Sequence, residues 1–147
     1  MQISSRFTIA VHILTCIKYF EGSTFITSDF LAGSIGVNPV IIRRIILQLK
    51  SAGMIRVGRG RGGIRSNGRI DDITLYDVYS AVEAVSPEGL FHFHDNPNPE
   101  CTVGSRIHDI LDGSLHEIQK ALEDRMRSIT IGDITATTEI YDEPNPV

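Results

Sequence analysis

The sequence contains no tryptophan, only two cysteines and no long apolar run. Cys16 and Cys101 are too few for the disulfide framework of a small secreted domain. The apolar segment 7–20 is interrupted by polar residues, so no stretch approaches the roughly 18 apolar residues of a membrane span. The start also lacks the basic, apolar and small-residue succession of a signal peptide. These absences predict a cytoplasmic protein with reduced cysteines.

Acidic residues are missing from positions 30–70, although the chain has 18 of them. The same segment carries eight of the 14 Lys and Arg residues, so the remainder, with six basic and 18 acidic residues, sums to −12. The net charge of −4 therefore hides a strongly basic segment beside an acidic one. This asymmetry favours a module that binds a polyanion, and we expect nucleic acid.

Two short helices joined through a glycine are predicted around the start of the basic segment, after a first helix over about 5–20. Thr27 or Ser28 can cap a helix over 29–35, and Gly36 suits its end. Asn38 and Pro39 then form an N-cap and a first helical position, opening a helix that stops at 52–53. This pattern predicts a helix-turn-helix, whose second helix normally enters the major groove of DNA.

A hairpin is predicted directly after the second helix. Residues 54–57 form a strand, 58–63 a glycine-rich turn and 64–66 a weaker returning strand. Arginines interleave with the glycines, which suits close approach to phosphates or to a narrow minor groove. Glycine-rich turns also cradle nucleotides, but the spacing matches neither common nucleotide-binding motif. We therefore interpret the hairpin as the wing of a winged helix-turn-helix.

The C-terminal part predicts a different module. Thr74 caps a helix whose apolar positions reach Val85, a loop covers 87–100, and a long helix runs from about 102 to 128. Its apolar positions, named here the α5 stripe, are Ile107, Leu111, Leu115, Ile118, Leu122, Met126 and Ile129. Their spacing is close to that of a coiled-coil seam, which favours burial against a second copy, with packing on the chain's own domain as the alternative. Thr130 caps a last short turn.

These elements predict a mainly α fold with a small β-hairpin wing. We expect a DNA-binding domain over 1–86 and a sensor loop with a dimerisation helix over 87–147. One of Arg43 and Arg44 is expected to read a guanine and the other to contact a phosphate, whereas Lys50 contacts a phosphate or the helix C-terminus. The candidate DNA-binding residues are Ser28, Asn38, Pro39, Val40, Arg43, Arg44, Lys50, Arg56, Arg59, Arg61 and Arg65.

Five segments, in this order, resemble the Rrf2 (Rrf-two) family of bacterial winged-helix regulators: residues 1–7, 36–39, 49–55, 59–63 and 73–78. The resemblance covers about 1–85 closely and the rest in layout. It implies a homodimer that binds a palindromic operator in double-stranded DNA and usually represses transcription. It also implies that the long helix is the dimer element. Relatives in the family sense nitric oxide, iron–sulfur status or cysteine supply, so a redox or metabolic signal is expected.

Cluster-binding members of that family carry three cysteines in the loop before the dimer helix, whereas this chain has only Cys101 there. One thiolate does not hold an iron–sulfur cluster, so we expect no cofactor. Two alternatives stay open: a cluster shared across a dimer, or a metal ion held by His92, His94 and Cys101. Cys16 is interpreted as a core residue, with a redox switch at Cys101 or Cys16 as the alternative.

Two other function classes compete with DNA binding. The sequence offers no nucleophile, base and orienting group in combination, so we do not expect an enzyme. A protein-interaction adaptor that retains a winged helix is the remaining alternative. Adaptors of that kind generally lose the positive wing, and this chain keeps it.

Overall fold

The computed structural model describes residues 4–82 and 89–138. The described helices and strands are α1 (Ser5–Phe20), α2 (Ser28–Ile35), α3 (Pro39–Ser51), β1 (Ile55–Val57), β2 (Ile64–Ser66), α4 (Leu75–Val82), α5 (Ile107–Arg127) and α6 (Ile131–Thr138). The mainly α class with one antiparallel hairpin is confirmed. Within the described ranges, no single helix is long and apolar enough to cross a membrane; α2 and α3 reach that length and composition only together, bent by 115°.

The helix-turn-helix is built by the caps that its sequence predicts. The Thr27 hydroxyl accepts a hydrogen bond from the Phe30 N–H at 3.0 Å, which fixes the start of α2. Gly36 ends α2 in the left-handed conformation, at φ 72°. The Asn38 side chain accepts from the Val40 N–H at 2.8 Å, and Pro39 occupies the first turn of α3. Together these caps determine where α2 starts and ends and where α3 begins.

The core lies where α1 meets α2, α3 and α4. Ile13, Leu14 and Ile17 of α1 are completely buried, because α1 is covered on more than one side. From α3, the buried positions are Ile42, Ile45, Ile46 and Leu49. These four residues follow helical spacing on one face, so the opposite face of α3 is left to the solvent.

The wing is tied to the core at its base. The Ile64 N–H donates to the Ile26 carbonyl at 2.9 Å, and the side chains of both residues are buried. The segment 25–26 therefore lies beside the start of β2 through this backbone bond, although it is not a strand.

The sequence interpretation was wrong about the segment after α5. A single turn was expected after Thr130, but α6 has eight residues, and Ile131 is completely buried against the core. α5 is therefore followed by a further helix that packs on the core. The predicted division at residue 86 stays a prediction, since Val85 and residues 83–88 lie outside the described residues, but α6 packs on α1 of the first half.

Two capping boxes meet where α4 and α6 begin. Thr74 and Asp77 exchange hydrogen bonds at the start of α4, and Thr130 and Asp133 do the same at the start of α6. Residues 73–75 and 129–131, named here the α4–α6 junction, pair through Leu75 N–H to the Ile129 carbonyl at 2.9 Å and Ile131 N–H to the Ile73 carbonyl at 2.8 Å. The junction fixes the end of α5 to the winged domain.

α5 begins later than its pattern predicts. Helix geometry was expected from about residue 102, but residues 104–106 form a 3-10 turn and the α-helix starts at Ile107. Arg127, in its last turn, stacks on the Tyr76 ring of α4 at 3.7 Å from the ring centroid. The C-terminal end of α5 is therefore packed on the winged domain.

Candidate nucleic-acid interface

The exposed face of α3 carries two basic side chains at its flanks and apolar ones between them. Arg43 and Arg44, adjacent in sequence, diverge by about 100° around the helix axis. Val40 and Leu47 lie between them and are 61% and 62% exposed. Such a face suits the major groove, where guanidinium groups meet guanine edges and apolar atoms meet thymine methyl groups.

Arg43 is held by the start of α2. Its Nε donates to the Ser28 hydroxyl at 3.4 Å, and its Nη2 donates to Asp29 Oδ1 at 3.3 Å. Arg44 lies on the other flank, where it lines a shallow groove with Ile9 and His12 of α1. The two arginines thus have different surroundings, although the sequence offers no reason to separate them.

Two arginines stand opposite each other in the wing. Arg56 of β1 and Arg65 of β2 are register partners in the antiparallel pair, and both side chains are exposed. Like charges directly across a strand pair are destabilising. Within the part of the chain that the structure describes, neither has an ion-pair partner. The pairing therefore costs hairpin stability, and an anion bound across the two guanidinium groups would offset that cost.

Two glycines of the wing are required by its geometry. A side chain on Gly58 would collide with the backbone of Gly62, because the turn closes tightly through the Gly58 N–H and the Gly63 carbonyl at 2.8 Å. Gly63 has φ 64° and lies against the Phe25 ring. The glycines therefore shape the hairpin tip, in addition to allowing close approach of its backbone.

A groove between α3 and the wing, named here the wing groove, brings three of the eleven candidates together. From the helix-turn-helix it is lined by Ser28, Arg43, Leu47 and Lys50, and from the wing by Val57, Gly58 and Gly60. Leu47 is a site residue that the sequence interpretation missed. Its signal was available, since an apolar residue seven positions after Val40 falls on the same exposed face.

The remaining candidates do not line this groove. Asn38 and Pro39 start α3, and the Asn38 carboxamide oxygen is engaged as the N-cap. Arg59 is exposed in the wing turn. Arg61 belongs to the same turn, but its side chain lies outside what the structure describes. Asp29, not expected from the sequence, is the acidic side chain that contacts this basic surface through Arg43.

The α5 stripe is only partly covered. Met126 is buried and Ile129 half-buried against the winged domain, so the alternative of packing on the chain's own domain holds at that end. In the middle, Leu111, Ile118 and Leu122 are 38%, 55% and 36% exposed. The middle of the α5 stripe is therefore a second exposed surface. It is apolar and lies on α5, whereas the basic surface lies on α3 and the wing.

The two cysteines differ in environment. Cys16 is buried in α1, and this burial raises the pKa of its thiol, opposed by a contact with the Ser34 hydroxyl at 3.5 Å. Cys101 is exposed, and hydrogen bonds from the backbone N–H groups of Gly104 and Val103 lower the pKa of its thiol. The core interpretation of Cys16 agrees with its burial.

The loop before α5 does not fit an iron–sulfur cluster. Such clusters need several thiolates, and Cys101 is the one cysteine of this loop. His92 and His94 are exposed, and the His94 ring lies 6.0 Å from the His108 ring, which stacks on Phe93 at 4.4 Å. Across residues 4–82 and 89–138, no three His, Cys, Asp or Glu side chains are grouped as metal ligands, so His92, His94 and Cys101 are not brought together.

Comparison with known proteins identifies the family. Residues 3–137 match the family model of Rrf2, described as an iron-dependent transcriptional regulator. The chain belongs to the Rrf2 family. It is 37% identical over 133 residues to YwnA of Bacillus subtilis (strain 168), named as an HTH-type transcriptional regulator, covering 90% of this chain and 96% of YwnA.

Solved structures agree with this assignment. A crystal structure described as that of a DNA-binding protein superposes with a TM-score of 0.70 at 32% identity, covering 88% of this chain and 98% of the other. IscR of T. potens has the same fold, with a TM-score of 0.72 at 18% identity and coverage of 99% and 94%. This Rrf2 protein is a DNA-binding transcriptional regulator, and the relatives it matches are regulators rather than enzymes.

Proposed function

We propose that this Rrf2 protein is a homodimeric repressor that binds a palindromic operator with α3 and the wing. The observation that carries the proposal is the pairing of Arg56 with Arg65 across the wing. Like charges at directly paired strand positions destabilise the free protein, and binding to a phosphate backbone offsets their repulsion. The neighbours of these two arginines in the strands, Val57 and Ile64, line the wing groove, where Arg43 and Lys50 add further positive charge.

The α5 stripe supports the homodimer. Leu111, Ile118 and Leu122 repeat at coiled-coil spacing and are exposed in one copy of the chain. A second copy carries the same stripe, so a two-fold arrangement buries both at once. A two-fold dimer has two copies of α3, which in turn favours an operator with two symmetric half-sites.

Repression and its signal rest on the family and on the loop before α5. A dimer seated on an operator excludes other proteins from that DNA, which is the simplest way for such a protein to repress. A redox or metabolic signal would act at Cys101, whose thiol is exposed and has a lowered pKa. Since Cys101 lies just before α5, a change there would alter the dimer helix first.

A gel-shift titration at several salt concentrations tests the proposal. The probe is a set of genomic fragments from the source organism, and the fragment bound most tightly is then shortened to its minimal site. Affinity is expected to fall steeply with salt, with a slope of log affinity against log salt of about −0.9 for each phosphate contacted. A symmetric minimal site bound by two chains is the expected stoichiometry. Salt-independent binding, or none to any fragment, would overturn the proposal.

A further inference from the structure

Arg43 and Asp29 form an exposed contact between the two helices of the helix-turn-helix. The Arg43 and Asp29 side chains are 59% and 75% exposed, and the distance from Nη2 to Oδ1 is 3.3 Å. Ion pairs this exposed contribute little to folding stability. A carboxylate on the surface that meets DNA is also repelled by phosphates. Asp29 stabilises the first turn of α2, but its contact with Arg43 adds little to folding, so the reason for that contact lies elsewhere.

The geometry of the guanidinium group supplies that reason. The Ser28 hydroxyl accepts a hydrogen bond from Nε–H of Arg43, and the Asp29 carboxylate accepts one from an N–H of Nη2. These two donors form one edge of the planar group. The opposite fork, made by Nη1 and the second hydrogen of Nη2, is left for another acceptor. Two acceptors on a separate helix thus fix the plane of the guanidinium before DNA arrives.

We infer that Asp29, assisted by Ser28, is a specificity-determining residue that positions Arg43 to read a guanine. A guanine offers two acceptors, O6 and N7, in the major groove, and a fixed arginine fork matches both at once. Fixing the plane in advance reduces the side-chain freedom that is given up on binding. A mobile Arg43 would instead contact any nearby phosphate, which carries no sequence information.

Arg44 has no equivalent restraint. It lies on the other flank of α3, near Leu47, Gln48 and Ser51, and among the described residues it has no acidic partner. The structure therefore separates the two arginines that are equivalent in the sequence: Arg43 is the reader, and Arg44 is free to contact a phosphate. This inference rests on the proposed use of α3 in the major groove.

The test compares base preference between variants, using the minimal operator and a library in which each half-site position is randomised in turn. Asp29→Ala is expected to lower discrimination at one G·C pair per half-site about threefold to tenfold, as part of the full value of a bidentate contact. Binding to non-operator DNA is expected to stay equal or to tighten, because a negative charge is removed. Asp29→Asn keeps an acceptor oxygen, so its discrimination at that G·C pair is expected to lie between those of the unaltered protein and Asp29→Ala.

Two controls make the result specific. Asp95→Ala removes the same charge from the loop before α5 and is expected to leave base preference unchanged. In an Arg43→Ala background, Asp29→Ala is expected to have no further effect on preference, because the group it positions is gone. Thermal unfolding checks that each variant is folded.

The outcomes separate the inference from the proposed function. Base preference that is unchanged in Asp29→Ala would overturn the positioning role. A further drop in preference at the same base when Asp29→Ala is added to Arg43→Ala would also overturn it, since Asp29 would then contact a base itself. Failure of the unaltered protein to prefer any sequence would instead overturn the proposed function.

Discussion

The two surfaces of this Rrf2 protein leave opposite kinds of groups exposed. On the basic surface of the wing, Arg56 and Arg65 are exposed at paired positions, without ion-pair partners among the described residues. On α5, basic side chains are neutralised locally, with Lys120 on Asp124 at 2.5 Å and Arg127 on Glu123 at 3.2 Å. The hydrocarbon of α5 is exposed instead. Each surface thus exposes groups that lack a complement within the chain. The arginines of the wing lack anions, and the α5 stripe lacks apolar side chains to cover it.

The largest effect is expected from charging the apolar surface. Replacing Leu111 and Ile118 by Glu in the same chain would place four carboxylates in a dimer interface, where unpaired charges are costly. We expect the Kd of the dimer to rise by at least about a hundredfold. Sedimentation equilibrium measures this, and affinity for a two-half-site operator should fall with it.

The matched control charges the opposite face of the same helix. Gly113→Glu with His116→Glu introduces the same number of acids at exposed positions, and a side chain at Gly113 meets nothing nearby. This variant is expected to dimerise normally. Equal dimerisation by both variants would show that the α5 stripe is not the interface.

A smaller but diagnostic effect is expected from the wing. Arg56→Ala with Arg65→Ala should weaken DNA binding about tenfold to a hundredfold and reduce the salt slope by about one for each phosphate that the wing no longer reaches. The same change should leave thermal stability unchanged or slightly raise it, because opposed like charges are removed. Removing two charges from α5, by Lys120→Ala with Arg125→Ala, should leave the slope nearly intact. A wing variant with an unaltered slope would exclude these arginines from phosphate binding.

Local signals made the helix-turn-helix predictable from the sequence. Thr27, Gly36, Asn38 and Pro39 each specify a helix end through bonds within a few residues, and all four occur where expected. The acid-free basic segment likewise predicts, without any knowledge of packing, a basic surface on α3 and the wing, where the described arginines are exposed. Helix caps and local charge can be predicted without tertiary structure, because both depend on residues that are close in the sequence.

Contacts between distant residues could not be predicted in the same way. Asp29 and Arg43 meet because α2 and α3 are bent by 115°, an angle that neither helix encodes alone. α6 was missed for a related reason: Gly132, Thr135 and Thr137 are weak helix formers, and the helix is stabilised by burial of Ile131 on α1. The capping box of Thr130 and Asp133 was the available signal.

The next prediction concerns the α4–α6 junction, which connects α5 to the winged domain. Thr130→Ala removes the hydroxyl that accepts from the Asp133 N–H, and we expect it to lower the free energy of unfolding by about 1 kcal/mol. Thr137→Ala, at an exposed position later in α6, is the control and should cost less than half of that. Urea unfolding measures both. Equal losses would show that the box does not fix the α4–α6 junction.

The same box predicts a pH dependence. Hydrogen bonds from the backbone and side chain of Thr130 lower the pKa of Asp133 below its ordinary value. A carboxyl whose pKa is lowered by folding stabilises the fold above its unfolded pKa, and this contribution is lost as pH falls through the folded value. Asp133→Asn should therefore be less stable at neutral pH and show a flatter decline of stability in acid, as measured by urea unfolding across that pH range.

The smallest effect concerns the two cysteines, one in each region. Backbone N–H groups lower the pKa of the Cys101 thiol, whereas burial raises that of Cys16. At neutral pH, iodoacetamide should therefore modify Cys101 several-fold faster than a free peptide of residues 98–107, and Cys16 only after unfolding. Cys101→Ser removes the fast reaction and identifies it. The modification rate is also measured against pH. If its midpoint for Cys101 equals that for the peptide, the N–H groups of Val103 and Gly104 do not stabilise the thiolate. If the fast reaction is found, Cys101 is a thiol at which a chemical signal would act in the region that we propose dimerises, and α5 and the α4–α6 junction connect that region to the winged domain.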